Sequence, residues 1–210
     1  MLLNHERQAW AKGCQCLVGI DEAGRGPLAG PVVAGAVYVR PSFLEAEKND
    51  VLEGLTDSKK LTVFQRNCFF ALFQDRPEVE FATGSASVEE VDELNVLRAT
   101  HLAMRRAIEA LCLAPDHLLV DGLPVKGLPV PATAIVKGDA SSLLIAAASV
   151  VAKVTRDKMM EQLSQEYPGY GLGRNKGYGT PEHIKAIQNQ GPAACHRKTF
   201  APIKQLRFDF

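Results

Sequence analysis

The chain has 210 residues, 46% hydrophobic and 23% charged, a balance that suits an ordinary globular core with no need of disulfide staples. Lys and Arg total 24 and Asp and Glu total 24, which excludes a protein that coats a polyanion through bulk positive charge. Five cysteines (Cys14, Cys16, Cys68, Cys112 and Cys195) form no CxxC pair and no Cys/His zinc spacing, so reduced thiols in a cytoplasmic protein are expected. No stretch is long and apolar enough to span a membrane, and the charged N-terminus lacks the apolar core of a signal peptide.

In chain order, residues 16–22 (CLVGIDE) read as a short buried strand ending in two acids. A Gly/Pro turn through Gly24, Gly26, Pro27 and Gly30 leads to a second strand at 31–39. Residues 40–60 are polar and irregular. Thr62 with Gln65 fits a capping box, and Phe69, Leu72 and Phe73 follow at helical spacing. A third strand is expected at 79–87. Ser87 with Glu90 forms a second capping box ahead of helices at 88–93 and 96–113, whose core stripe is read as Leu97, Met104, Ile108 and Leu111. Strands at 117–121 and 132–137 follow, then a long helix over about 141–165 whose Ala146-Ala147-Ala148 run predicts close packing on the sheet. A glycine-rich loop precedes a last short helix near Pro181. The pattern predicts a mixed five-stranded α/β sheet flanked by helices. The basic residues Arg174, Lys176, Lys185, Arg197, Lys198, Lys204 and Arg207, with Glu182 the lone acid among them, make a basic C-terminal stretch that fits either a partner surface or a solvated one.

The chemistry concentrates in the acids. Asp21 and Glu22 close the first strand, Asp121 closes the fourth, and Asp139 follows the fifth. Ligand sites form where neighbouring parallel strands end. Carboxylates gathered there repel one another unless they are protonated or hold cations, and hard oxygen donors suit Mg²⁺ or Mn²⁺. Taken singly, each acid also fits a turn or cap. Gly24-Arg25-Gly26 offers backbone amides and a planar cation to an anion, and it is not a Walker loop. Lys59 and Lys60 fit phosphate contacts or a solvated basic turn. Tyr178, set between glycines, fits a stacking ring or a rim packing residue.

Together these segments resemble bacterial ribonuclease HII. The resemblance rests on GIDEAGRGPLAGPVVAGAV, LTDSKKLT, VDELNVLRATHLAM, LLVDG, VKGDASSLLIAAASVVAKVTRD and YGLGRNKGYGTPEH followed by HRKTF, in the family's order from about residue 17 to 202. It implies an RNase H-like mixed sheet with a C-terminal helical extension, the core over about 1–165 and the extension over about 166–210, as one catalytic domain. It implies that Asp21, Glu22, Asp121 and Asp139 are catalytic metal ligands for two Mn²⁺ or Mg²⁺ ions. Gly24, Arg25 and Gly26 are then expected to read a ribose 2′-hydroxyl, with Lys59 on the backbone and Tyr178 stacking at the junction. Asn175 stands where the family often has His, and Asp157 reads as structural on the long helix.

The activity so implied is hydrolysis 5′ of a ribonucleotide in an RNA–DNA hybrid or in duplex DNA, leaving 5′-phosphate and 3′-hydroxyl. The alternatives from the residues are a non-catalytic RNA–DNA duplex binder and another RNase H-like nuclease, such as a junction resolvase. The expected state is a monomer with no membrane contact. The tail Gln205-Leu206-Arg207-Phe208-Asp209-Phe210 resembles a sliding-clamp peptide, against the alternative of a packed or frayed end.

Overall fold

The computed structural model describes residues 2–45 and 50–205. Three strands form an antiparallel meander, β1 (Leu17–Ala23), β2 (Val32–Val39) and β3 (Val79–Ala86). Two more, β4 (His117–Asp121) and β5 (Ala132–Ile135), add in parallel on the far side of β1. The order β3-β2-β1-β4-β5 is the expected mixed sheet, with helices on both faces.

Eight α-helices are present among the described residues: α1 (Asn4–Ala11), α2 (Pro41–Leu44), α3 (Val63–Asp75), α4 (Val88–Leu94), α5 (Val96–Glu109), α6 (Leu143–Glu166), α7 (Leu172–Asn175) and α8 (Pro181–Gln190). None is long and apolar enough to cross a membrane. Both capping boxes form, Thr62 with Gln65 on α3 and Ser87 with Glu90 on α4. Asn95, at φ +70°, ends α4 and caps α5 through bonds from the amides of Leu97 and Arg98.

The two faces of the sheet divide the core. Leu17 and Leu119 pack with α6 and α3, whereas Val18, Ile20, Leu118 and Val120 pack with α5. This alternation decides where the strand-end acids point. Asp21 continues the Leu17-Gly19 row and Asp121 continues the Leu119 row, so both fall on the α6 face, and Glu22 falls on the other. Each fully buried Val or Ile is worth about 1.5–3 kcal/mol, so a one-residue slip of β1 is strongly disfavoured. The register that places the acids is thus held by hydrophobic burial.

Helix α6 lies unusually close to the sheet. Gly19 and Gly35 face it, and a methyl on Gly19 would overlap the Leu144 backbone, while one on Gly35 would sit 2.6 Å from the Ala148 carbonyl oxygen. The alanine run expected to pack tightly is fully buried there. The N-terminus of α6 is anchored by α1, which the periodicity did not announce. Glu6, fully buried, accepts from Ser142 Oγ at 2.6 Å and from the Leu144 amide at 3.0 Å. A carboxylate at a helix N-terminus meets unpaired amides and the positive end of the dipole.

Three expectations need correction. Leu97, assigned to the core stripe, is 51% exposed, because the first turn of α5 borders an open cavity instead of the sheet. The stripe consists of Ala99, Thr100, Ala103, Met104, Ala107 and Ile108. The fifth strand stops at Ile135, two residues early: Val136 is exposed and Lys137 turns left-handed at φ +57°. Within the stretch expected to be irregular, Pro41–Leu44 and Asp50–Leu52 form single helical turns.

Candidate active site

Parallel pairing brings the acids together. Leu17 to Ile20 run alongside His117 to Val120, and one step further Asp21 stands beside Asp121. The early end of β5 and the left-handed Lys137 start a 3-10 turn, Gly138–Ala140, which carries Asp139 back to the same place. The Gly138 amide donates to Asp121 Oδ1 at 2.7 Å and ties the turn to the strand end. Oxygens of Asp21, Asp121 and Asp139 lie within 4.8 Å of one another. Glu22, expected to join the same cluster, is not in this triad, because the adjacent strand residue points to the opposite face. Its carboxylate lines the cavity and accepts from Arg25 Nη1 at 3.1 Å.

The electrostatics follow from this crowding. Burial first, then the charges of Glu22 and Asp121, push Asp21 well above the usual carboxylate range, and the bond it accepts from the Glu22 amide offsets only part of this. Burial also raises Glu22, against the pull of Arg25. Burial and the charges of Asp121 and Asp57 raise Asp139. Unpaired carboxylates held this close are under-neutralised, and the all-oxygen donor set fits a small hard divalent cation.

One cation approaches the cluster. Burial works against the Lys59 ammonium, yet the carboxylates of Asp57, Asp21, Asp139 and Asp121 outweigh it and raise its pKa. Its loop is held from two sides. Ser149 on α6 donates to Ser58 Oγ at 2.6 Å, and Arg66 on α3 donates to the carbonyls of Ser58 and Leu61 at 2.7 and 2.6 Å. Lys60 is exposed and does not line the cavity.

The glycine segment forms the opposite wall of a cavity of about 880 Å³ that also holds Asp21, Glu22, Lys59, Asp121 and Tyr178. Gly24 takes φ +99°, a conformation that L side chains rarely adopt. A Cβ on Gly26 would lie 3.8 Å from Tyr178 Cε1, so the exposed ring stands directly over this segment. Asn175, at the position where the resembled family often has His, turns inward. It donates to the Tyr170 carbonyl and accepts from the Gly177 amide, both at 2.8 Å, and so shapes the Tyr178 loop. Asp157 pairs with Lys153 at 2.7 Å, and Lys153 lines the cavity, so this acid orients a cation one turn along α6.

Two residues to which the sequence reading gave no place at the site hold the walls, and one of them, Arg197, belongs to the basic stretch expected at a surface yet is fully buried. Arg156 and Arg197 are buried, and among the described residues their guanidinium groups bond only to backbone carbonyls. Arg156 donates to Ala29, Pro31 and Lys176 at 3.0–3.1 Å, joining the glycine segment to the Tyr178 loop. Arg197 donates to Gly24 at 2.6 Å, Arg25 at 3.0 Å and Gly30 at 2.8 Å. The sequence signal was present, since both sit in quoted segments, VTRD and HRKTF. Yet an arginine within a basic stretch does not announce burial. Arg197→Met keeps the bulk and strands those carbonyls. Bonds to a charged donor are worth about 1.5–3 kcal/mol each, so a loss on the order of 3 kcal/mol is expected. Urea melts will read this as a lower midpoint at unchanged slope, and an unmoved midpoint would show that the clamp is idle.

Leu206 to Phe210, most of the clamp-like tail, lie outside the described residues.

Comparison with known proteins gives a consistent picture. The family model described as Ribonuclease HII matches residues 18–203. A Cereibacter sphaeroides protein named Ribonuclease HII is 50% identical over 205 residues, covering 97% of this chain and 92% of that protein. Among solved structures, the ribonuclease H2 of Pyrococcus horikoshii superposes with a TM-score of 0.72 at 26% identity, over 90% of this chain and 96% of that one. The Archaeoglobus fulgidus RNase HII, solved in a complex with PCNA, has a TM-score of 0.69 at 26% identity, over 93% of this chain and 98% of that one.

Proposed function

The chain belongs to the ribonuclease HII family, and from that membership we propose that it cuts the phosphodiester on the 5′ side of a ribonucleotide, in RNA–DNA hybrids and at single ribonucleotides embedded in duplex DNA, leaving 5′-phosphate and 3′-hydroxyl. The observation that carries this reading is the triad of Asp21, Asp121 and Asp139 with oxygens within 4.8 Å, two of which, Asp21 and Asp121, line a cavity whose other wall is Gly24 to Gly26. Those aspartates, with Glu22, hold the divalent cations. When bound, two Mn²⁺ or Mg²⁺ ions supply an activated water and neutralise the departing 3′-oxygen.

The protein's own groups do the rest. The amides of Gly24 and Gly26 and the Arg25 guanidinium bind the ribose and its phosphate, reading the 2′-hydroxyl that separates RNA from DNA. The Tyr178 ring stacks on the neighbouring sugar or base, a contact worth about 1–3 kcal/mol. Lys59 steadies the backbone, and the charges of the nearby carboxylates favour its protonated form. The reading takes residues 1–165 as the catalytic core, 166–210 as the extension that delivers Tyr178, and the enzyme as a cytoplasmic monomer. A sliding-clamp contact through Gln205 to Phe210 belongs to the same proposal, with the archaeal relative's PCNA complex as its support.

The test is cleavage-site mapping on duplex DNA with one ribonucleotide, a full RNA–DNA hybrid and branched DNA, with and without chelator. The expected result is a chelator-sensitive cut 5′ of the ribonucleotide. Cutting of branched DNA alone would replace this reading with a junction resolvase, and tight binding without cleavage in Mg²⁺ and Mn²⁺ would leave a duplex binder.

A further inference from the structure

Two buried histidines sit behind Tyr178, in the segments TPEH and HRKTF, and the site described above makes no use of them. His183 on α8 and His196 are both fully buried, and their Nε2 atoms lie 3.0 Å apart. His183 Nδ1 is 2.9 Å from the Tyr178 carbonyl oxygen. The Ala193 amide donates to His196 Nδ1 at 3.0 Å.

These contacts determine the protons in sequence. His196 Nδ1 also lies 3.2 Å from the Ala193 carbonyl oxygen, but that oxygen already accepts from the His196 amide at 3.0 Å, so the shorter contact from the Ala193 amide is the bond; it requires a lone pair on Nδ1, and the proton of a neutral ring is then on Nε2. That proton is given to His183 Nε2, which must be the acceptor. The proton of His183 is therefore on Nδ1 and is given to the Tyr178 carbonyl. Among the described residues no carboxylate bonds to either ring. The titratable groups facing the pair are Tyr170, whose ring centroid is 4.7 Å from that of His196, and the Cys195 thiol, 3.5 Å from His196 Nδ1. Burial raises both, and Glu166 adds to the effect on Cys195, so neither is an anion at neutral pH. The nearby guanidinium groups of Arg156 and Arg197 are spent on backbone carbonyls. Burial holds His183 below its usual value and, with the charge of His183, brings His196 down to about 4.

Tyr178 needs such support. Its ring is 46% exposed, so its position depends on its backbone. On one side the Gly177 carbonyl is pinned by the Leu28 amide at 2.7 Å, and on the other the Tyr178 carbonyl takes His183.

We infer that His183 and His196 form a neutral, one-directional hydrogen-bond relay that fixes the Tyr178 backbone over Gly26, making both histidines positioning residues for ribonucleotide recognition. The relay itself stands on geometry alone. Its consequence for recognition rests on the function proposed above.

The first arm of the test does not involve activity. In the full chain labelled with ¹⁵N-histidine, His183 is expected as the Nδ1–H tautomer and His196 as the Nε2–H tautomer, both titrating below the ordinary histidine value. His183 carrying its proton on Nε2, or either ring charged at pH 7, would overturn the relay. The second arm reads kcat/KM on duplex DNA with one ribonucleotide. His183→Ala should lose about tenfold, the effect of one buried hydrogen bond. His183→Asn, whose amide stands where Nδ1 does, should recover most of it, and it serves alone against wild type if the alanine variant does not fold. The double variant with Tyr178→Ala should be no worse than Tyr178→Ala by itself. Additive losses would make His183 a packing residue and sink the positioning role. A wild-type protein that cuts no ribonucleotide would sink the proposed function instead, while the tautomers still decide the relay.

Discussion

Asp121→Asn is expected to lower ribonucleotide cleavage by at least about a thousandfold while leaving the fold intact. The asparagine keeps an oxygen that can accept the Gly138 amide, now at 2.7 Å, so the turn carrying Asp139 stays in place. What it loses is the negative charge at the centre of the triad. Charge stabilisation at a metal-assisted transition state is worth several kcal/mol, and each 1.36 kcal/mol is tenfold in rate. The metal-free variant should melt no lower than wild type, because one of three mutually repelling carboxylates has gone. That pairing of results separates a chemical defect from a folding defect. Cleavage near wild-type rate in both Mg²⁺ and Mn²⁺, measured on a duplex with one ribonucleotide, would remove Asp121 from the site.

The second large effect is a pH-dependent stabilisation by divalent cations. Asp21, Glu22 and Asp139 are all raised in the folded protein, chiefly by burial and then by neighbouring carboxylates. Above the ordinary carboxylate range the folded chain therefore holds more protons than the unfolded one. Stability of the metal-free protein must then fall as pH rises through the folded values. His183 and His196 act in the opposite sense at lower pH. Burial lowers both, so stability falls as pH drops from about 6.5, the ordinary histidine value, through their folded values, about 4 for His196. The comparison is cleanest between pH 6.5 and 8.5, above that window.

A cation present at a hundred times its Kd adds about 2.7 kcal/mol, which for a chain of this size is about 5–10 °C in Tm. Mn²⁺ should raise Tm more at pH 8.5 than at pH 6.5, because protons compete for the same oxygens at lower pH. Asp21→Asn should flatten this dependence. Scanning calorimetry that finds no Mn²⁺ shift at either pH, or a shift that Asp21→Asn leaves unchanged, would contradict a carboxylate cation site.

Much of this architecture is local in origin and was legible. The short apolar runs of CLVGIDE and PVVAGAVYV, the capping boxes at Thr62 and Ser87 and the alanine run of the long helix each depend on residues a few positions apart. The same range of interaction explains the errors. Leu97 satisfies helical spacing, but whether its turn meets the sheet or a cavity is decided by strands far away in sequence. Helix α1 carries little periodic signal of its own, and its Glu6 finds its purpose at Ser142, 136 residues on.

The sequence alone determined that acids would stand at strand ends beside a glycine turn, because strand length and turn chemistry are short-range properties. Only the tertiary structure decided which acids meet. Parallel pairing across a hundred residues sets Asp21 beside Asp121, a left-handed residue swings Asp139 in, and the pleat turns Glu22 to the other face. The same long-range packing buried Arg156 and Arg197 against carbonyls and stacked His196 behind His183, since desolvation depends on everything that surrounds a group and not on its neighbours in the chain.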